Sequence, residues 1–194
     1  WSSDVCSSDL LCHPPTIDFM AQKLDVCIRG DGMVGRTLAL LLARQKLRVG
    51  LVTSPPKTTQ DVRAYSLNSA SRDLLSSLRC WPDATHATPV QHMRVWGDGG
   101  GFTHFESPSA QGLTWIVDVP VLEQQLGQAV RYQTDITLLD APEPAALTVV
   151  CEGRHSATRA ELGVQFEALP YQQHAVAARV RASMPHRQQA LQWF

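Results

Sequence analysis

The chain has 194 residues, 44% of them hydrophobic and 18% charged, with a formal net charge of −1. That composition suits a globular protein with a sizeable core, and it lacks the basic excess that nucleic-acid binding requires. No run of about 18 apolar residues occurs, so no membrane-spanning helix is expected.

The first ten residues, WSSDVCSSDL, repeat Ser-Ser-Asp and show neither a strand nor a helix period. They read as the in-frame translation of a sequencing-library adapter. Residues 1–19 are therefore expected to be a non-native or unstructured leader, with Met20 as the native start. Discounting Cys6 and Cys12 leaves Cys27, Cys80 and Cys151, an odd and widely spaced set that suits a reducing, cytoplasmic setting. Cys12-His13 has no C-x-x-C or H-x-x-x-H partner and is no zinc half-site.

The run KLDVCI, 23–28, predicts a buried strand that ends at Gly30. A helix is expected over 33–45, with Val34, Leu38, Leu41 and Leu42 on its apolar face. LRVGLV, 47–52, predicts a second strand closed by TSPPK, which completes a βαβ unit. Residues 68–78 read as a helix with Leu74, Leu75 and Leu78 on one side, and 90–106 as a β-hairpin around a glycine-rich turn. A helix begins at Pro120, whose missing N–H costs nothing in a first turn, and carries Leu122, Leu126 and Val130 four apart. ALTVVC, 146–151, predicts another strand, followed by a turn and a short helix. HAVAARVRA, 174–182, and QALQWF, 189–194, read as final strands, and the apolar ending suggests a truncated chain.

The β-strand-to-helix turn carries Gly30, Gly32 and Gly35 at G-x-G-x-x-G spacing. The first glycine permits the tight turn, the second lets backbone approach a pyrophosphate, and the third lets helix and strand pack closely. Met33 and Val34 open the helix, whose free N–H groups and dipole favour phosphate. An acid is expected about 20 residues onward to hold the ribose. Here Thr53 and Ser54 end the second strand, and Asp61 is the next acid. A neutral end beside Lys57 and Arg63 leaves room for a 2′-phosphate, an NADP reading. Asp31, inside the loop, opposes a pyrophosphate unless it turns away. No G-x-S-x-G elbow occurs, and none of the seven histidines falls at ligand spacing, so no protein nucleophile and no metal site is expected. His92, His104 and His174 fall in strand patterns and read as satisfied structural histidines, and Trp96, Trp115 and Trp193 read as core or substrate-cavity walls.

Five ordered segments, RAYSLNSASRDLL, ATPVQHMRVW, IVDVPVLEQQL, VVCEGRHSATR and YQQHAVAARV…MPHR, resemble the flavin-dependent aromatic-ring hydroxylases of ubiquinone biosynthesis, relatives of the p-hydroxybenzoate hydroxylase fold. The resemblance implies an α/β fold. Its Rossmann-like FAD domain would span 20–89 and 109–165, and a substrate-domain sheet would begin at 90–108 and 166–194. It implies FAD as cofactor, NAD(P)H as co-substrate, and a small aromatic substrate, prenylated or not. Contact with a biosynthetic assembly and with the inner membrane follows from such a substrate.

By the same resemblance Gly30, Gly32 and Gly35 match the first FAD loop, Arg63 an arginine near the cofactor, and Glu152-Gly153 the second, Asp-Gly motif. Arg159 matches that motif's arginine. Three positions depart from the pattern: Thr53 replaces a ribose-binding glutamate, Pro120 an arginine, and Glu152 an aspartate. The departures keep two other readings open, a non-catalytic relative serving as a partner in an assembly, and an NADP-dependent reductase.

Overall fold

The computed structural model describes residues 23–55, 61–108 and 112–194. The expected leader, Met20 and Lys57 lie outside the described residues. In chain order the elements are β1 (Leu24–Arg29), α1 (Met33–Arg44), β2 (Val49–Val52), β3 (Ala64–Leu67), α2 (Ser69–Ser77), β4 (Ala87–Val90), β5 (His92–Trp96) and β6 (Phe102–Glu106). They continue with β7 (Thr114–Asp118), α3 (Val119–Arg131), β8 (Ile136–Leu139), β9 (Ala145–Val150), a 3-10 turn (Gly153–His155), α4 (Ala157–Glu161) and β10 (Gln189–Trp193).

A parallel sheet in the order β8-β2-β1-β9 forms the centre. Its middle strand buries Val26, Cys27 and Ile28 in succession, as a strand covered on both faces must. The α1 helix packs through Gly35, Ala39, Leu40 and Ala43, rather than through the expected stripe of Val34, Leu38, Leu41 and Leu42. Small residues every fourth position let the helix backbone approach the strands closely. Leu38 and Leu42 only flank the core, and Val34 is 71% exposed.

The expected α3 stripe is found: Leu122, Leu126 and Val130 are all buried against the same core as α1. Asn68 caps α2 by accepting the Ser71 N–H at 2.9 Å. Of its predicted apolar side, Leu75 is buried but Leu74 is not.

Two three-stranded sheets accompany the central one. The antiparallel sheet β3-β7-β4 buries Trp115 and Val117 and turns Ile116 outward, the alternation of a one-sided sheet. The third sheet, β10-β5-β6, contains the predicted hairpin, closed by the Gly97–Gly101 turn, with β10 parallel to β5. The strand expected at 174–182 does not form. No described strand pairs with the segment, and Val176 and Val180 stay exposed. Alternating side chains make a strand only where a neighbour satisfies its backbone, and here the segment is held through Arg179, to Asp118 and to the Val62 and Arg63 carbonyls.

Leu75→Ala should cost about 2–5 kcal/mol in urea unfolding, as deletion of a buried leucine does, while Leu74→Ala should cost less than half as much. Equal losses would contradict this placement of α2.

Candidate cofactor site

The glycine turn leaves the carboxyl end of β1 beside the end of β9, because those strands are neighbours in register from Leu24↔Ala145 to Arg29↔Val150. In open α/β sheets ligands bind at such carboxyl ends. Gly30 adopts φ +109, and a Cβ there would sit 2.7 Å from both the carbonyl carbon and oxygen of Cys151. A Cβ on Gly35 would meet the Gly30 carbonyl oxygen at 1.9 Å. The first and third glycines are therefore demanded by the protein's own packing. Gly32 differs: a Cβ there would meet nothing within 4 Å. Packing does not require this glycine, and the space in front of it is open to a ligand. No side chain caps the first turn of α1, so its N–H groups remain available to phosphate.

Cavities flank the loop on both sides. One, about 440 Å³, is lined by Val34, Val150, Cys151, Gly153, Ser156, Arg159, Leu162 and Val164. The other, about 630 Å³, lies between the end of β2 and α3 and includes Asp31, Arg36, Thr53, Ser54, Gly127 and Arg131.

The predicted residues distribute unevenly around these spaces. Gly30, Gly32, Met33, Val34 and Gly35 form the turn itself, with the Met33 side chain directed into the core. Glu152 and Gly153 lie beside it, Gly153 at φ +73 with open space where a Cβ would be. The Glu152 carboxylate is already engaged. It accepts from the Ser156 hydroxyl at 2.7 Å, from the Thr158 hydroxyl and N–H, and pairs with Arg29 at 3.2 Å. The Thr158 and Ser156 donors hold its pKa down to about 2.

Thr53 sits at the end of β2, but its N–H and hydroxyl both donate to the Leu139 carbonyl. Arg63 lines neither cavity; Asp61 grips its guanidinium at 2.6 and 2.8 Å, and Glu123 lies 3.7 Å away. Arg159 stacks on Phe166, 3.7 Å from the ring centroid, at the rim of the first cavity.

Asp31 does not turn to open solvent. One carboxylate oxygen accepts the Ser54 N–H at 3.1 Å and the other pairs with Arg36, also at 3.1 Å. Arg36 in turn donates to the Glu123 carbonyl on α3 at 2.8 Å. The loop acid thus stands at the end of β2, where the sequence lacks its expected acid. Linear spacing hid this, since the acid arrives from the preceding loop and not from the strand.

A parallel sheet with a glycine-rich turn between β1 and α1 has the fold of the FAD-dependent monooxygenases. The chain superposes on PqsL of Pseudomonas aeruginosa, described as a probable FAD-dependent monooxygenase, with a TM-score of 0.61 at 22% identity, covering 77% of this chain and 48% of that one. p-Nitrophenol 4-monooxygenase PnpA of Pseudomonas putida gives a TM-score of 0.61 at 14% identity, over 76% of this chain and 45% of that one. Among curated proteins the chain is similar to the ubiquinone hydroxylase UbiL of Rhodospirillum rubrum, 29% identical over 200 residues, or 88% of this chain and 46% of the relative. It is also 30% identical over 128 residues to 3-demethoxyubiquinol 3-hydroxylase of Escherichia coli, covering 60% of this chain and 32% of the relative. The chain therefore spans less than half the length of these curated relatives. No family profile matches it.

Because the folded Glu152 carboxyl titrates far below its ordinary 4.5, it contributes stability above pH ~4.5 and loses it as pH falls toward about 2. In Glu152→Gln the decline of Tm between pH 5 and pH 3 should be shallower than in the parent chain. Identical pH profiles would show the carboxylate to be uncoupled from folding.

Proposed function

We propose that the chain is the FAD-binding part of a monooxygenase that hydroxylates the aromatic ring of a ubiquinone precursor, with NAD(P)H and O₂ as co-substrates. The observation that carries this reading is the open space in front of Gly32, between two glycines that packing alone explains. The similarity to ring hydroxylases supports the same class.

The pyrophosphate would lie on the Gly32–Gly35 turn, against the N–H groups that begin α1. Asp31 would hold the adenosine ribose. A carboxylate offers about four lone-pair sites, so the bonds to Ser54 and Arg36 leave acceptors for the ribose hydroxyls. Gly153 and Val34 would border the cofactor on the β9 side. When bound, FAD supplies reduction by NAD(P)H and oxygen activation, while the protein positions it and excludes water.

The sheet β10-β5-β6 is assigned to the start of a substrate domain. A prenylated aromatic substrate would bring the protein into peripheral contact with the inner membrane and with a biosynthetic assembly, from a cytoplasmic location. No helix of the described residues is long and apolar enough to cross a membrane.

One set of contacts favours the second reading, a non-catalytic relative. The Glu152 carboxylate is consumed by Ser156, Thr158 and Arg29, and the Thr53 hydroxyl is bound to a backbone carbonyl. The visible spectrum of the protein expressed from the whole gene separates the two. Bound flavin, with NAD(P)H oxidation stimulated by a phenolic ring, supports the hydroxylase. A colourless protein that takes up no FAD on reconstitution rejects it.

Within a flavin-binding protein, Gly32→Val should leave Tm nearly unchanged yet weaken FAD binding at least about tenfold, by occupying the ligand's space. Asp31→Asn should weaken it by about 10- to 150-fold through loss of a charged acceptor, roughly 1.5–3 kcal/mol. Both are read by titration of flavin fluorescence. Unchanged affinity in Gly32→Val would move the pyrophosphate off this loop.

A further inference from the structure

We propose that His92, His104 and Glu106 form a binding site for a divalent transition-metal ion, Zn²⁺ by the chemistry of its donors. The site lies on the β5–β6 hairpin and is independent of the flavin reading.

The strand register builds the cluster. His92 faces Glu106 directly across the ladder, and Arg94 faces His104, so His104 is the diagonal neighbour of His92. Side chains two apart on a strand share a face, which puts both imidazoles and the carboxylate on one side of the hairpin. Their ligand atoms all lie within 4.8 Å of one another. Spacing along the chain conceals the set, because its members are brought together by the Gly97–Gly101 turn.

One donor pair already stands near the spacing an ion requires. The Nδ1 of His92 stands 3.9 Å from a Glu106 carboxylate oxygen, too far for a hydrogen bond. Two ligands on a tetrahedral zinc, each bonded at about 2.0–2.2 Å, stand about 3.3–3.6 Å apart. A small rotation of the exposed Glu106 closes that difference. The same Nδ1 is shielded from solvent and has no hydrogen-bond partner. A shielded ring nitrogen without a partner is costly, and a metal ion would satisfy it. The rings of His92 and His104 are stacked at 5.6 Å with 26° between their planes, so one ring must turn for both nitrogens to converge on one ion. Two histidines and one glutamate are a donor set that zinc uses where it keeps an open coordination position, here facing away from the sheet.

One charge works against the site. Arg94 shares the face and lies opposite His104, so its guanidinium repels a cation. That opposition supplies a test that a purely structural cluster would not pass.

The experiment is a competition titration of the tag-free chain with Zn²⁺ against a chromophoric chelator, with Co²⁺ absorption as a direct readout of coordination. The expected result is one ion per chain, lost or weakened at least about tenfold in His92→Ala, His104→Ala and Glu106→Gln, since a ligand is removed each time. Arg94→Gln should bind more tightly than the parent chain. Zinc should raise Tm in the parent chain and not in His104→Ala. His104 and Glu106 are exposed, so their variants are expected to fold as the parent does. Equal affinity in the parent and His104→Ala, or no saturable binding at one ion per chain, would overturn the site.

Discussion

Everything around the candidate cofactor site depends on how closely two backbones approach: the turn after β1 and the end of β9. With φ +109 at Gly30 and the Cys151 carbonyl where a side chain would be, only glycine fits there. That contact sets the Glu152-Gly153 segment beside the glycine turn. It also aims the start of α1 at the carboxyl edge of the sheet, and Gly35 against the Gly30 carbonyl fixes the depth of the helix. Because these two glycines serve the protein's own packing, their presence alone would not argue for a ligand. Gly32, whose side-chain position is open, is the glycine that points to one.

The charged residues that make this loop unusual form two separate groups, one on each side of it. On the β9 side Arg29 bridges Glu152 and Glu161, while Ser156 and Thr158 complete the Glu152 contacts. On the β2 side Asp31 joins Ser54 to Arg36, and Arg36 reaches the α3 backbone. The β2-side group balances one carboxylate with one guanidinium, whereas the β9-side group sets one guanidinium against two carboxylates and keeps a net negative charge. The two groups differ in what they leave available. Glu152 has committed its oxygens to four donors, whereas Asp31 retains acceptor sites on a cavity wall.

The βαβ unit, the hairpin and the α3 stripe were legible because their patterns are local: a glycine turn, alternation around Gly97–Gly101, and leucines every fourth residue. The α1 face was misread because a tightly packed helix buries its small residues, and Gly35, Ala39 and Ala43 carry little hydrophobic signal. β3, β4, β7 and β8 were not legible, because short strands announce themselves only through their partners. The segment 174–182 shows the reverse case, an alternating pattern with no partner to make it a strand. Site residues followed the same division. The glycines could be read in sequence, but the position of Asp31 beside Ser54, and of His92 beside His104, exists only after the chain has folded.

The central claim is that the open face of Gly32 receives the pyrophosphate of FAD. Amide NMR of the isotopically labelled protein expressed from the whole gene, during FAD titration, tests it most directly. The account predicts shifts concentrated in Gly32–Gly35, Ser54 and Gly153, with the β5–β6 hairpin amides unmoved. Shifts centred elsewhere, or none at saturating FAD, would contradict it.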